Sequence, residues 1–81
     1  MQYFVLYGTL GCHLCEQAEA LLAPLLDSEK HCVECIDISE DDELMSRYAL
    51  TIPVLRRMSD RVELKWPFDA ARAEMFLSPL S

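Results

Sequence analysis

Between Tyr7 and Cys12 the sequence changes its period, and that change limits what the chain can fold into. Tyr3-Phe4-Val5-Leu6-Tyr7 is a continuous apolar run, the pattern of a buried strand. Gly8-Thr9-Leu10-Gly11 supplies a turn. From Cys12 the apolar residues Leu14, Ala18, Leu21, Leu22 and Leu25 recur at helical spacing, with Glu16, Gln17 and Glu19 among the outward positions. Pro24 predicts a kink or an end to that helix, because proline removes a helical donor and crowds the preceding turn. His31-Cys32-Val33-Glu34-Cys35-Ile36-Asp37-Ile38 then alternates as a second strand. Two strands joined through a helix of this size form a parallel pair.

The remainder completes a layered architecture. Ser39-Glu40-Asp41-Asp42 reads as a capping box for a short helix running from Glu43 to Tyr48, with Leu44, Met45 and Tyr48 as its apolar side. Thr51-Ile52-Pro53 leads into a strand over Val54-Leu55-Arg56-Arg57, and a strand tolerates proline at its start. Ser59-Asp60 marks a turn, and Arg61–Trp66 alternates into the next strand, so the two form an antiparallel hairpin. Pro67-Phe68-Asp69 breaks that strand. Asp69 is placed to N-cap a last helix from Ala70 to Leu77, with Ala73, Phe76 and Leu77 facing inward. The predicted order is β-α-β-α-β-β-α: an α/β domain with a four-stranded mixed sheet and helices on both faces. Residues 1–81 are expected to form a single domain, since 81 residues cannot furnish two cores.

Charge narrows the function. Seven Lys and Arg against 14 Asp and Glu give a net charge of −7. That argues against nucleic acid and anionic membrane surfaces, both of which require a basic footprint. No run approaches the roughly 18 apolar residues of a membrane span. The start, Met1-Gln2-Tyr3-Phe4-Val5, lacks the basic region of a signal peptide. The expectation is a cytoplasmic monomer whose thiols are kept reduced, so its four cysteines read as catalytic or metal-binding rather than as staples.

The cysteines form two Cys-x-x-Cys pairs, Cys12/Cys15 and Cys32/Cys35. Their separation fits a zinc pattern. Against zinc, neither pair is followed by the glycine of a metal-gripping turn, and residues three apart on a strand point to opposite faces. Cys32 and Cys35 are therefore expected to be strand residues, at least one of them in the core. The first pair lies at a strand-to-helix junction.

Cys12-His13-Leu14-Cys15 after a first strand, with Ile52-Pro53-Val54-Leu55 ahead of a hairpin and Trp66-Pro67-Phe68-Asp69 after it, resembles the small bacterial glutaredoxin-like proteins of the thioredoxin fold. The resemblance spans essentially the whole chain. It implies a thiol–disulfide oxidoreductase in cell redox homeostasis, with Cys12 as nucleophile, Cys15 as resolving thiol and Pro53 as a cis-proline beside them. It also implies that the backbone of Ile52 pairs with an extended substrate. A helix N-terminus stabilises a thiolate, which agrees with the role of Cys12. His13 has two readings, tuning of Cys12 when protonated or a solvent-exposed first-turn residue. His31, beside Lys30, reads as surface, and Tyr7, Trp66 and Phe68 as mainly packing residues.

The chain also departs from glutaredoxins, which carry a basic residue before the active cysteine and a glycine pair after the hairpin. Gly8-Thr9-Leu10-Gly11 and Trp66-Pro67-Phe68-Asp69 offer neither. This argues against glutathione as co-substrate and against a glutathione-ligated cluster, and no other cofactor is implied. The expected partners are protein or low-molecular-weight disulfides, with glutathione or a thioredoxin reductase as electron donor. A redox-inactive binding module and a four-cysteine zinc site are the alternative readings.

Overall fold

In the computed structural model, which describes residues 1–78, the apolar run becomes the second of four strands in the sheet. The elements are β1 (Gln2–Gly8), α1 (His13–Leu22), β2 (His31–Asp37), α2 (Asp42–Tyr48), β3 (Val54–Arg57), β4 (Val62–Lys65) and α3 (Ala70–Leu77). Strand order is β2-β1-β3-β4. β2 runs parallel to β1, with Leu6 opposite Cys35 and Gly8 opposite Asp37. β3 is antiparallel to β1, with Tyr7 opposite Val54, and β4 is antiparallel to β3. This is the mixed sheet and element order of a thioredoxin-like fold.

β1 is interior because both of its faces are apolar. Phe4 and Leu6 pack with Ala18 and Leu22 of α1, Leu55, and Ala73 and Leu77 of α3. Val5 and Tyr7 point the other way, into a smaller cluster with Ile38, Val54 and Tyr48 of α2. Two helices thus cover one face and one short helix the other. Burying each such side chain is worth about 1.5–3 kcal/mol, so an edge position for β1 would forfeit much of the core.

Local chemistry sets the element ends. α1 stops at Leu22, and Ala23–Leu25 tighten into a 3₁₀ turn around Pro24. α2 is capped by Asp41, whose carboxylate accepts from the N–H groups of Glu43 and Leu44, not by Ser39. Ser39 instead belongs to a 3₁₀ turn capped by Asp37. Asp69 caps α3 as expected, accepting from Arg72 N at 2.8 Å.

Four expectations are corrected. Leu14 is 45% exposed, because the buried stripe of α1 runs through Cys15, Ala18 and Leu22 and Leu14 lies to its flank. Met45 is 38% exposed, since the seven residues of α2 cover only the sheet positions beneath Leu44 and Tyr48. Neither Cys32 nor Cys35 is core; both are exposed, because β2 is an edge strand and the helices cover its inner neighbour. His31 is a tether rather than simple surface. Its Nδ1 accepts from Asp27 N at 3.0 Å, so Nε2–H is the donor to the Leu77 carbonyl at 2.9 Å, tying β2 to α3.

Arg57 is a charged residue buried against that same face. Its guanidinium lies 4.6 Å from the centre of the Phe76 ring, donates to the Phe76 carbonyl and pairs with Asp60 at 2.8 Å. Asp60 is held below its usual carboxylate range chiefly by its hydrogen bonds from Arg57. No helix among the described residues is long and apolar enough to cross a membrane. Replacing the α3 cap, Asp69→Ala, is expected to cost about 1 kcal/mol, or about 4–8 °C in Tm for a domain of this size. Thermal unfolding followed by circular dichroism checks this.

Candidate active site

The β1–α1 turn brings the first cysteine pair to one end of the sheet. Gly11 takes a left-handed φ of +75°, a conformation open to glycine without a side-chain clash. It delivers Cys12 to the N-cap of α1 in an extended conformation. There the Cys12 sulfur accepts a hydrogen bond from Cys15 N at 3.2 Å. The Cys12 sulfur fills the position that serine or aspartate commonly takes, accepting from a backbone donor of the first turn. Cys12 is half-buried, and Cys15 is buried one turn further in.

Gly8 makes room for Cys15. A Cβ at Gly8 would lie 3.0 Å from the Cys15 sulfur and 3.4 Å from its Cβ. Burial, reinforced by the hydrogen bond with Cys12 and the charges of Cys12 and Glu19, pushes the Cys15 thiol from 9.0 up to about 11. The pair is therefore asymmetric: one sulfur at a helix terminus, the other held protonated beneath it.

His13 is 92% exposed, and its polar neighbour is Glu16, 3.7 Å from Nδ1. Cys35 lines one groove with Cys15, whereas Cys32 does not line it. Among the described residues no group of three or more His, Cys, Asp and Glu is arranged to hold a metal ion. The four-cysteine zinc arrangement is thus not assembled. Cys35 instead donates to Glu19 Oε1 across a 3.6 Å contact, and burial and that carboxylate raise its pKa.

Sheet register brings Pro53 to the same end. Because Tyr7 faces Val54, Pro53 stands level with Gly8 on the neighbouring strand. The Ile52–Pro53 bond is cis and Pro53 is fully buried, with its carbonyl accepting from Trp66 N at 3.1 Å. A second cis bond, Trp66–Pro67, follows β4, where the sequence had offered only a strand break. Ile52 N–H is already engaged, donating to the Tyr48 carbonyl at 3.1 Å. A substrate strand pairing here must displace that bond or use the Ile52 carbonyl.

Tyr48 is the residue that sequence reasoning undervalued. Its carbonyl also accepts from Thr51 N at 2.9 Å and Thr51 Oγ1 at 3.3 Å, so it anchors the whole loop before Pro53. Its ring stacks on Tyr7 at 4.4 Å, and its hydroxyl donates to Glu63. The aromatic pair at the ends of β1 and α2 was the available signal, but nothing in the sequence joins Tyr48 to Glu63.

Two outcomes follow from this geometry. Gly8→Ala is expected to displace the Cys15 side chain, seen as faster alkylation of Cys15 by a neutral thiol reagent at fixed pH. Cys15 also couples stability to pH. Its folded pKa lies above its unfolded one, so the folded state holds the extra proton, and stability present below pH 9.0 declines toward pH 11. Urea denaturation of a Cys15→Ala protein across that window should show a shallower decline.

The family model described as Glutaredoxin-like domain (DUF836) matches residues 4–78. A search of curated proteins returned no match. The X-ray structure of target protein XcR50 from X. campestris is similar at 38% identity and a TM-score of 0.80, covering 94% of this chain and 99% of that one. The solution structure of XcR50 gives 37% identity and a TM-score of 0.79, with full coverage of both chains (100% and 100%). The solution structure of Ne2328 from Nitrosomonas europaea is 32% identical, with a TM-score of 0.76 over 95% of this chain and 92% of that one. With the family model spanning nearly the whole chain and a thioredoxin-like sheet beneath it, the chain belongs to the glutaredoxin-like domain family.

Proposed function

We propose that this protein is a dithiol–disulfide oxidoreductase that works through Cys12 and Cys15. The observation that carries the reading is the Cys12 sulfur at the N-cap of α1, accepting from Cys15 N, with the Cys15 thiol buried one turn behind it. In the first step the Cys12 thiolate attacks one sulfur of a substrate disulfide. A Cys12–substrate disulfide forms, and the other substrate sulfur leaves as a thiolate. Cys15 then loses its proton and attacks the Cys12 sulfur. The Cys12–Cys15 disulfide forms as the second substrate thiolate departs, so the substrate gains two electrons and the protein loses them. Cys15 at i+3 from Cys12 stands one helical turn away, the spacing that intramolecular attack requires.

In this reading the Ile52–Pro53 loop forms the wall against which an extended substrate lies, and His13 is a solvent-facing neighbour. The substrates are protein or low-molecular-weight disulfides in the cytoplasm. Electrons come from glutathione or a thioredoxin reductase, the latter favoured because no Lys or Arg occurs between Met1 and Glu29 to hold an anionic tripeptide. The protein acts as a monomer without a bound cofactor.

The test is paired substitution. Cys12→Ser is expected to abolish reduction of a model disulfide, at least a hundredfold below wild type on the scale typical of a lost nucleophile. Cys15→Ser should retain the first step and accumulate the Cys12 mixed disulfide, visible by mass spectrometry. Undiminished turnover in Cys12→Ser removes the proposed nucleophile and leaves a thioredoxin-like binding module.

A further inference from the structure

Between α1 and the edge strand lies a groove that shares only Cys15 with the proposed chemistry. It has a volume of about 190 Å³. Leu6, Leu10 and Ile36 give it an apolar lining, Cys15 and Cys35 contribute thiols, and Glu19 and Asp37 contribute carboxylates. Thr9 and Leu10, on its lip, immediately precede Gly11 and Cys12 in the chain, so the groove opens beside the dithiol.

Size limits the occupant. The volume corresponds to about six waters at the density of the liquid, below the roughly 300–1,000 Å³ of pockets for drug-sized ligands and cofactors. A single amino-acid side chain fits that space. Chemistry limits it further. An apolar lining that also carries carboxylates suits a side chain with an aliphatic stem and a cationic head, which is lysine or arginine.

Charge supplies the third restriction. The ion pairs among the described residues use Glu16, Glu43 and Asp60, leaving Glu19 and Asp37 without an internal cation. Asp37 is held by Ser39 N and Oγ at 2.9 and 2.7 Å, and the Glu19 carboxylate faces Cys35 Sγ at 3.6 Å. No Lys or Arg lines the groove, and the net charge of −7 adds long-range attraction for a basic partner.

We propose that this groove is a docking site for a basic segment of a protein partner, receiving one lysine or arginine side chain beside the dithiol. The proposal deepens the oxidoreductase reading and rests on it for one point, that the partner is a disulfide substrate. A substrate cysteine joined to Cys12 would place its neighbouring residue against Leu10, with the cationic head between Glu19 and Asp37. The site then selects cystines flanked by basic residues over those flanked by acidic ones.

The experiment uses the full chain carrying Cys12→Ser, so that no exchange contributes. Two short cysteine-free peptides, one carrying lysine and leucine and one with glutamate in place of lysine, are titrated and followed by amide NMR. The basic peptide is expected to shift the signals of Leu10, Glu19 and Ile36, and to bind several-fold more weakly after Glu19→Gln and at raised salt. Glu19 is exposed, so that substitution leaves the fold intact. Equal binding of both peptides, shifts elsewhere, or indifference to Glu19→Gln overturns the proposal. Wild-type exchange, measured separately, keeps the two readings apart. Binding without exchange refutes the oxidoreductase alone, whereas exchange without selective binding refutes the groove alone.

Discussion

A strand that is apolar on both faces has to be covered on both, and the rest of this fold follows from β1 meeting that condition. Phe4 and Leu6 draw α1 and α3 to one side, while Val5 and Tyr7 draw α2 to the other. With β1 inside, its neighbours take their places by connection length: the helical crossover makes β2 parallel, and the β3–β4 hairpin fills the opposite flank. The site is a by-product of that arrangement. The C-terminal end of β1 must turn into α1, and the turn carries Cys12 to the helix terminus.

At that end, two sulfurs of identical chemistry are made unlike by position. Cys12 caps the helix and receives an N–H, whereas Cys15 lies over Gly8, away from water. Burial opposes charge on the second. Nothing but backbone geometry and desolvation is needed to order the pair. The loop before Pro53 is likewise fixed from outside the dithiol, by the carbonyl of Tyr48 and the stacking of its ring on Tyr7.

Most of the architecture was legible because it is written in local periodicity. The change of period at Gly8–Gly11, the stop at Pro24, the hairpin around Ser59-Asp60 and the cap at Asp69 each depend on a few adjacent residues. The misreadings share a different cause. Leu14 lies on the flank of the stripe that α1 buries, and Met45 lies beyond what seven residues of α2 can cover. Cys32 and Cys35 alternate like core residues, yet their strand is the edge. Ser39 and Asp41 both suit an N-cap, and the intervening 3₁₀ turn decided between them.

The sequence by itself determined the element order, the mixed sheet and the presence of a thiol pair at a helix start, because these follow from spacing along the chain. Tertiary structure alone decided which residues meet across it. Those meetings are His31 with the Leu77 carbonyl, Arg57 with Phe76, Tyr48 with Glu63, and Cys35 with Glu19 beside Cys15. Such contacts join residues on separate elements, and strand order and register bring them together only when the sheet closes. A one-dimensional pattern carries which face a residue prefers, but not which neighbour occupies that face.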